Sequence, residues 1–180
     1  MQEISLNILD IAQNSVKAKA SLITISVEEN TQTHKMTCVI EDNGYGMNEE
    51  QVASVTNPFF TTRTTRKVGL GVPFFKMTAE MTGGSFNIKS EVGVGTTVTA
   101  NYNTDHIDML PMGDINSTII SLISVNPDID FVYKQKLDDK EFTMDTREFK
   151  KVLEDVPINS PDVLVFIKDY IKDNQNIINN

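Results

Sequence analysis

The chain has 180 residues, 39% of them hydrophobic and 23% charged, with a formal net charge of -9. That composition belongs to a globular protein, and no apolar run approaches the roughly 18 residues that a membrane-spanning helix needs. The acidic balance argues against nonspecific nucleic-acid binding, which rests on clustered lysine and arginine, and one cysteine excludes an internal disulfide framework.

Residues 3 to about 18 carry apolar side chains at helical spacing (Ile4, Ile8, Ile11; Leu9, Ala12, Val16), which predicts an amphipathic helix. "SLITISVEE" alternates Ile23, Ile25 and Val27 as a half-buried strand does, and "KMTCVIEDNGYG" is a second strand running into a glycine turn. A short helix fits Asn48 to Thr56, with Asn48 as its cap and Glu50 and Gln51 in the first turn. Another fits Leu70 to Met81, with Pro73 tolerated early and Gly83-Gly84 as the stop. "SFNIKS" and "GTTVTANY" make two strands around a turn at Gly93 to Gly95. Helices and strands in that order predict an α+β fold, a two-layer sandwich with helices on one face of a mixed sheet.

Beyond "NYNTDHIDMLPMGD" the pattern changes. "INSTIISLIS" is a short apolar helix, and "DFVYKQKLDDKEFTMDT" reads as a hairpin turning at Asp138-Asp139. "REFKKVLEDV" and "SPDVLVFIKDYIKD" read as two closing helices, the second capped by Ser160 with Pro161 at its first position. Residues 1–104 carry 8 basic and 10 acidic side chains, against 8 and 15 in residues 105–180. The boundary is therefore expected near 104, followed by a small acidic α+β extension.

Four stretches carry candidate chemistry. In "DIAQNSVKA", Asp10, Asn14 and Lys17 share one helix face, offering a carboxylate base, a hard amide ligand for Mg²⁺ and a cation for phosphate. Asp42 in "EDNGYGM" ends a strand, where it could accept a hydrogen bond from an exocyclic amine beside Gly44, Gly46 and Met47. "NPFFTTRTTRKVGLGVP" combines Phe60, Thr61 and Thr62 with Arg63, Arg66 and Lys67. Gly69, Leu70 and Gly71 then lead into a helix whose first amides favour an anion. "EVGVGTTV" places Thr96 and Thr97 after a glycine turn. Each alone also reads blandly, as a solvated face, a plain turn, a surface loop or a hairpin. No stretch matches a P-loop, a dinucleotide fingerprint or a nucleophile elbow, and His34, His106 and Cys38 make no convincing zinc site.

Taken together, in order and spacing, these stretches resemble the boxes of the GHKL ATPase superfamily, which includes gyrase B subunits, MutL, large heat-shock chaperones, histidine kinases and anti-sigma serine kinases. The resemblance covers roughly residues 3 to 102 and implies a Bergerat-type ATP-binding fold. It implies that Asn14 coordinates Mg²⁺ on the phosphates, that Asp42 reads the adenine amino group with Gly44 and Gly46 close by, and that Thr97 or Thr96 supports it. Residues 59 to 71 would form the lid, with Lys17 on phosphate.

Two departures matter. Hydrolytic members and serine kinases usually carry Glu where this chain has Asp10, a reach shorter by about 1.5 Å, and misplacing a reacting group by about 1 Å can cost on the order of a hundredfold. Only nine residues precede Asp10, so no self-contained histidine autokinase is expected. The whole chain most resembles short stand-alone histidine kinase-like ATP-binding proteins of anaerobic bacteria. The expected function is an Mg²⁺-dependent ATPase or serine/threonine kinase using Asp10 as general base. The alternative is an ATP-dependent switch that docks a partner protein with little catalysis. A partner protein as phosphate acceptor and a homodimer are both compatible with the resemblance. With no basic leader in "MQEISLNILDIAQ", a cytoplasmic location is expected.

Overall fold

A computed structural model describes residues 3–57 and 69–180. Helix α1 (Ile4–Lys17) is followed by strands β1 (Leu22–Asn30) and β2 (Lys35–Asp42) and helix α2 (Glu49–Thr56). Helix α3 (Gly71–Met81), β3 (Ser85–Glu91) and β4 (Gly95–Asn103) come next. Helix α4 (Ile115–Val125), the hairpin β5 (Asp130–Leu137) and β6 (Lys140–Asp145), then α5 (Thr146–Leu153) and α6 (Pro161–Asn179) complete the chain.

The six strands form one sheet in the order β3-β4-β2-β1-β5-β6. Every neighbouring pair is antiparallel except β1 and β5, which run parallel from Leu22 opposite Asp130 to Glu29 opposite Leu137. The sheet is therefore mixed because of β5, and the C-terminal hairpin extends the sheet built by the first four strands. The expected α+β class, a mixed sheet layered with helices, is the fold observed.

Strand alternation decides what faces the core. Ile25, Ile40 and Val98 are paired across β1, β2 and β4, as are Val27, Cys38 and Ala100; Ile25 also faces Tyr133 of β5. These side chains are all buried and form a continuous apolar layer. α1 contributes Ile4, Ile8, Ile11 and Ala12 to it, α3 contributes Val72, Phe75 and Ala79, and α4 and α6 contribute Ile119, Leu122, Ile167 and Ile171. The opposite face carries polar side chains that bond to one another: Thr37 Oγ1 donates to Asn101 Oδ1 at 2.8 Å, and Asn101 Nδ2 to Ser85 Oγ at 2.9 Å.

Two features hold α1 in place. No side chain caps its first turn; instead the Ile4 and Ser5 amides donate to the carbonyls of Pro111 and Met112 at 3.0 and 2.8 Å. Those bonds satisfy amides that a helix start otherwise leaves unpaired. α4 then packs against both α1 and α6. α2 carries the capping box that Asn48 suggested, with Asn48 and Gln51 each bonding the other's backbone amide at 2.9 Å.

Candidate functional site

At one end of the sheet the apolar rows stop. Ile23 of β1 faces Asp42 of β2, which faces Thr96 of β4, so the last inward row holds a carboxylate and a hydroxyl. A core row has no stability reason to end this way, since a buried charge costs free energy unless it is bonded. Asp42 is bonded on both oxygens: Ser15 Oγ of α1 donates to Oδ2 at 2.5 Å, and the Gly44 amide donates to Oδ1 at 2.9 Å.

The turn after Asp42 is fastened on every side. Asn43 Oδ1 accepts from the Ser21 and Leu22 amides at 2.9 Å, and its Nδ2 donates to Ser21 Oγ. The Tyr45 amide donates to the Ala18 carbonyl at 2.9 Å, and the Gly93 amide to the Tyr45 carbonyl at 2.8 Å. Gly46 has a φ of +70°, and a Cβ there would lie 2.0 Å from the Glu91 carbonyl oxygen, so backbone packing alone demands glycine. Met47 is half-buried, and its amide donates to Ser90 Oγ at 2.8 Å. The Ser90 and Thr96 hydroxyls are 2.8 Å apart, which closes a polar rim beside Asp42.

α1 brings the second half of the constellation. Asp10 is half-buried, while Asn14 and Lys17 are exposed along the same helix face. Burial pushes the Asp10 carboxyl above the usual carboxylate range, and the Lys17 ammonium partly opposes that shift. The start of α3 presses against it: a Cβ on Gly71 would sit 2.9 Å from Asp10 Cβ. Gly69 and Leu70 are exposed just before this contact. Phe60, Thr61, Thr62, Arg63, Arg66 and Lys67 lie outside the described residues. The register separates the two candidate threonines: Thr96 shares the face of Asp42, whereas Thr97 pairs with Glu41 on the far face. A concavity of about 370 Å³ opens at this end of the sheet, lined by Thr24, Glu41, Lys89 and Thr97 and also by Asp42, Ser90 and Thr96, while no residue of α1, α2 or α3 lines it.

Sequence reasoning missed Ser15, Asn43 and Ser90. Ser15 continues the stripe of Ile8, Ile11 and Ala12, and Ser90 continues the inward series of Phe86 and Ile88. For the two serines, a hydroxyl at a position of core periodicity was the available signal.

Residues 1–105 match the model of the histidine kinase-, DNA gyrase B- and HSP90-like ATPases. The chain belongs to this family. It is 32% identical over 92 residues to sporulation kinase D of Bacillus subtilis (strain 168), covering 51% of this chain and 18% of the kinase. It is 33% identical over 102 residues to the sensor protein SrrB of Staphylococcus aureus (strain NCTC 8325 / PS 47), covering 54% of this chain and 17% of the sensor. The chain thus spans under a fifth of the length of these relatives. Among solved structures it is similar to the N-terminal domain of a DNA repair protein, with a TM-score of 0.52 and 11% identity over 79% of this chain and 52% of the other. That likeness concerns the fold alone. No helix among the described residues is long and apolar enough to cross a membrane.

Proposed function

We propose that this chain binds Mg²⁺–ATP between α1, the turn after β2 and the start of α3, and that it transfers the γ-phosphoryl group to a protein hydroxyl or to water. The observation that carries the reading is the Ser15–Asp42 hydrogen bond of 2.5 Å. It fastens the helix bearing Asp10, Asn14 and Lys17 to the carboxylate suited to a purine amine, so the phosphate-side and base-side groups form one site.

Each residue then has a task that its chemistry permits. Asp42 accepts from the adenine amine, and Thr96 supplies a hydroxyl on the same face. Lys17 offers charge to phosphate from the last turn of α1. Among the described residues no group of three or more His, Cys, Asp or Glu could hold a metal. The single amide of Asn14 still suits Mg²⁺, which takes few protein ligands and keeps phosphate and water oxygens. When bound, the ion would neutralise charge on the phosphates. Asp10 accepts the proton of the attacking hydroxyl as its oxygen bonds to the γ-phosphorus. The bond from that phosphorus to the bridging oxygen breaks, and ADP carries away the electron pair. A half-buried carboxylate with a raised pKa is the better base for this step.

A partner protein is the natural acceptor, and residues 105–180 would serve as an accessory region acting on α1. The clamp of Pro111 and Met112 on the first turn of α1 favours a second reading, in which ATP binding mainly switches that region's docking surface. Calorimetric titration of the full chain with ATP in Mg²⁺ tests the shared premise. Saturable binding of one nucleotide per chain is expected, and no binding at millimolar ATP refutes both readings.

A further inference from the structure

Ser15 has a role that helix and core requirements leave unexplained. It is 3% exposed in the interior of α1, where alanine is the better helix former and would bury no hydroxyl. Its one proton goes to Asp42 Oδ2 at 2.5 Å, while the Gly44 amide holds Oδ1 at 2.9 Å. The two donors come from different elements and fix both the position and the rotation of the carboxylate. What remains for a ligand is a fixed set of lone pairs, able to accept and unable to donate.

A purine with a 6-amino group meets this arrangement with an N–H and gains a charge-assisted hydrogen bond. A purine with a 6-keto group brings the lone pairs of O6 against those of Asp42, and its N1–H reaches the carboxylate only if the base shifts in the site. A mobile carboxylate could swing aside and admit water between them, but one held by Ser15 cannot. We infer that Ser15 is a specificity-determining positioning residue, which makes the site discriminate 6-amino from 6-keto purine nucleotides by immobilising Asp42. The inference rests on the nucleotide-site reading and goes beyond it, because it assigns the discrimination to a residue that need not touch the ligand.

The test is equilibrium titration of the full chain with ATP and with ITP, its 6-keto counterpart, for wild type, Ser15→Ala and Ser15→Thr. Wild type should prefer ATP. Ser15→Ala should lower the ATP-to-ITP affinity ratio by about tenfold, the typical loss for one hydrogen bond to a charged group. That fall should come from weaker ATP binding with ITP binding unchanged or improved. Ser15→Thr restores the hydroxyl and should restore the ratio, whatever its methyl group does to absolute affinity. A Ser15→Ala variant with an unchanged ratio, or with equal losses for both nucleotides, overturns the inference and leaves Ser15 a packing residue. A wild type that binds both equally also overturns it, with nucleotide binding intact. A wild type that binds neither overturns the reading of the site as well.

Discussion

Replacing Gly71 by alanine should slow phosphoryl transfer more than it disturbs the fold. The added Cβ would lie 2.9 Å from Asp10 Cβ and 3.7 Å from its Cγ and Oδ2. Carbon atoms settle at about 3.5–4.0 Å, so relieving the contact needs a shift of roughly 0.8 Å in Asp10 or in the first turn of α3. A displacement of about 1 Å in a reacting group can cost on the order of a hundredfold in rate. Stability moves less: alanine gains up to about 1 kcal/mol over glycine in a helix, against about 1–3 kcal/mol for overpacking. Single-turnover ATP cleavage and thermal unfolding should be measured on the same preparation. The expected result is a rate lowered ten- to hundredfold with a melting temperature changed by only a few degrees. A rate within twofold of wild type would refute the idea that the contact between α3 and Asp10 positions the base.

Since burial raises the Asp10 pKa and Lys17 opposes it, the rate should fall with decreasing pH at a higher pH than for a solvated aspartate; Lys17→Met should move that acid limb higher still, and an unmoved limb would count against the coupling. The sign for stability is opposite: the native state holds the Asp10 proton to higher pH than the unfolded chain, so its contribution is lost as pH rises through the raised value, and Asp10→Asn should not lower the neutral-pH melting temperature. Phe75 is fully buried with its ring 6.2 Å from Phe86 and 6.3 Å from Tyr102. Phe75→Ala should cost about 3–5 kcal/mol in denaturant unfolding, and a loss below about 1 kcal/mol would contradict its place in the core.

Local patterns made much of this molecule readable in advance. The stripe of Ile4, Ile8 and Ile11 forms α1, the alternation through Ile23, Ile25 and Val27 forms β1, and Asn48 caps α2. The pairing of β5 with β1 had no local signal, because a parallel contact between residues more than a hundred positions apart depends on the whole chain. α6 runs on to Asn179, past the polar stretch after Asp173, and buries Ile178 in the core. At the site, Asp10, Asn14 and Asp42 stood out as charges or amides beside apolar runs. Ser15 and Ser90 did not, since their partners, Asp42 and Thr96, are set by packing and strand register that the periodicity of either element alone does not give. The same register separates Thr96 from Thr97, whose side chains alternate across one strand.

Asp10 acting as a base on a bound nucleotide is the step on which the proposed phosphoryl transfer depends. A single-turnover assay with γ-labelled ATP, Mg²⁺ and excess protein, comparing wild type with Asp10→Asn, tests it most directly. Both proteins should bind ATP, and label should leave it only in the wild type. Label released equally from both, or ATP bound and intact in both, would contradict it.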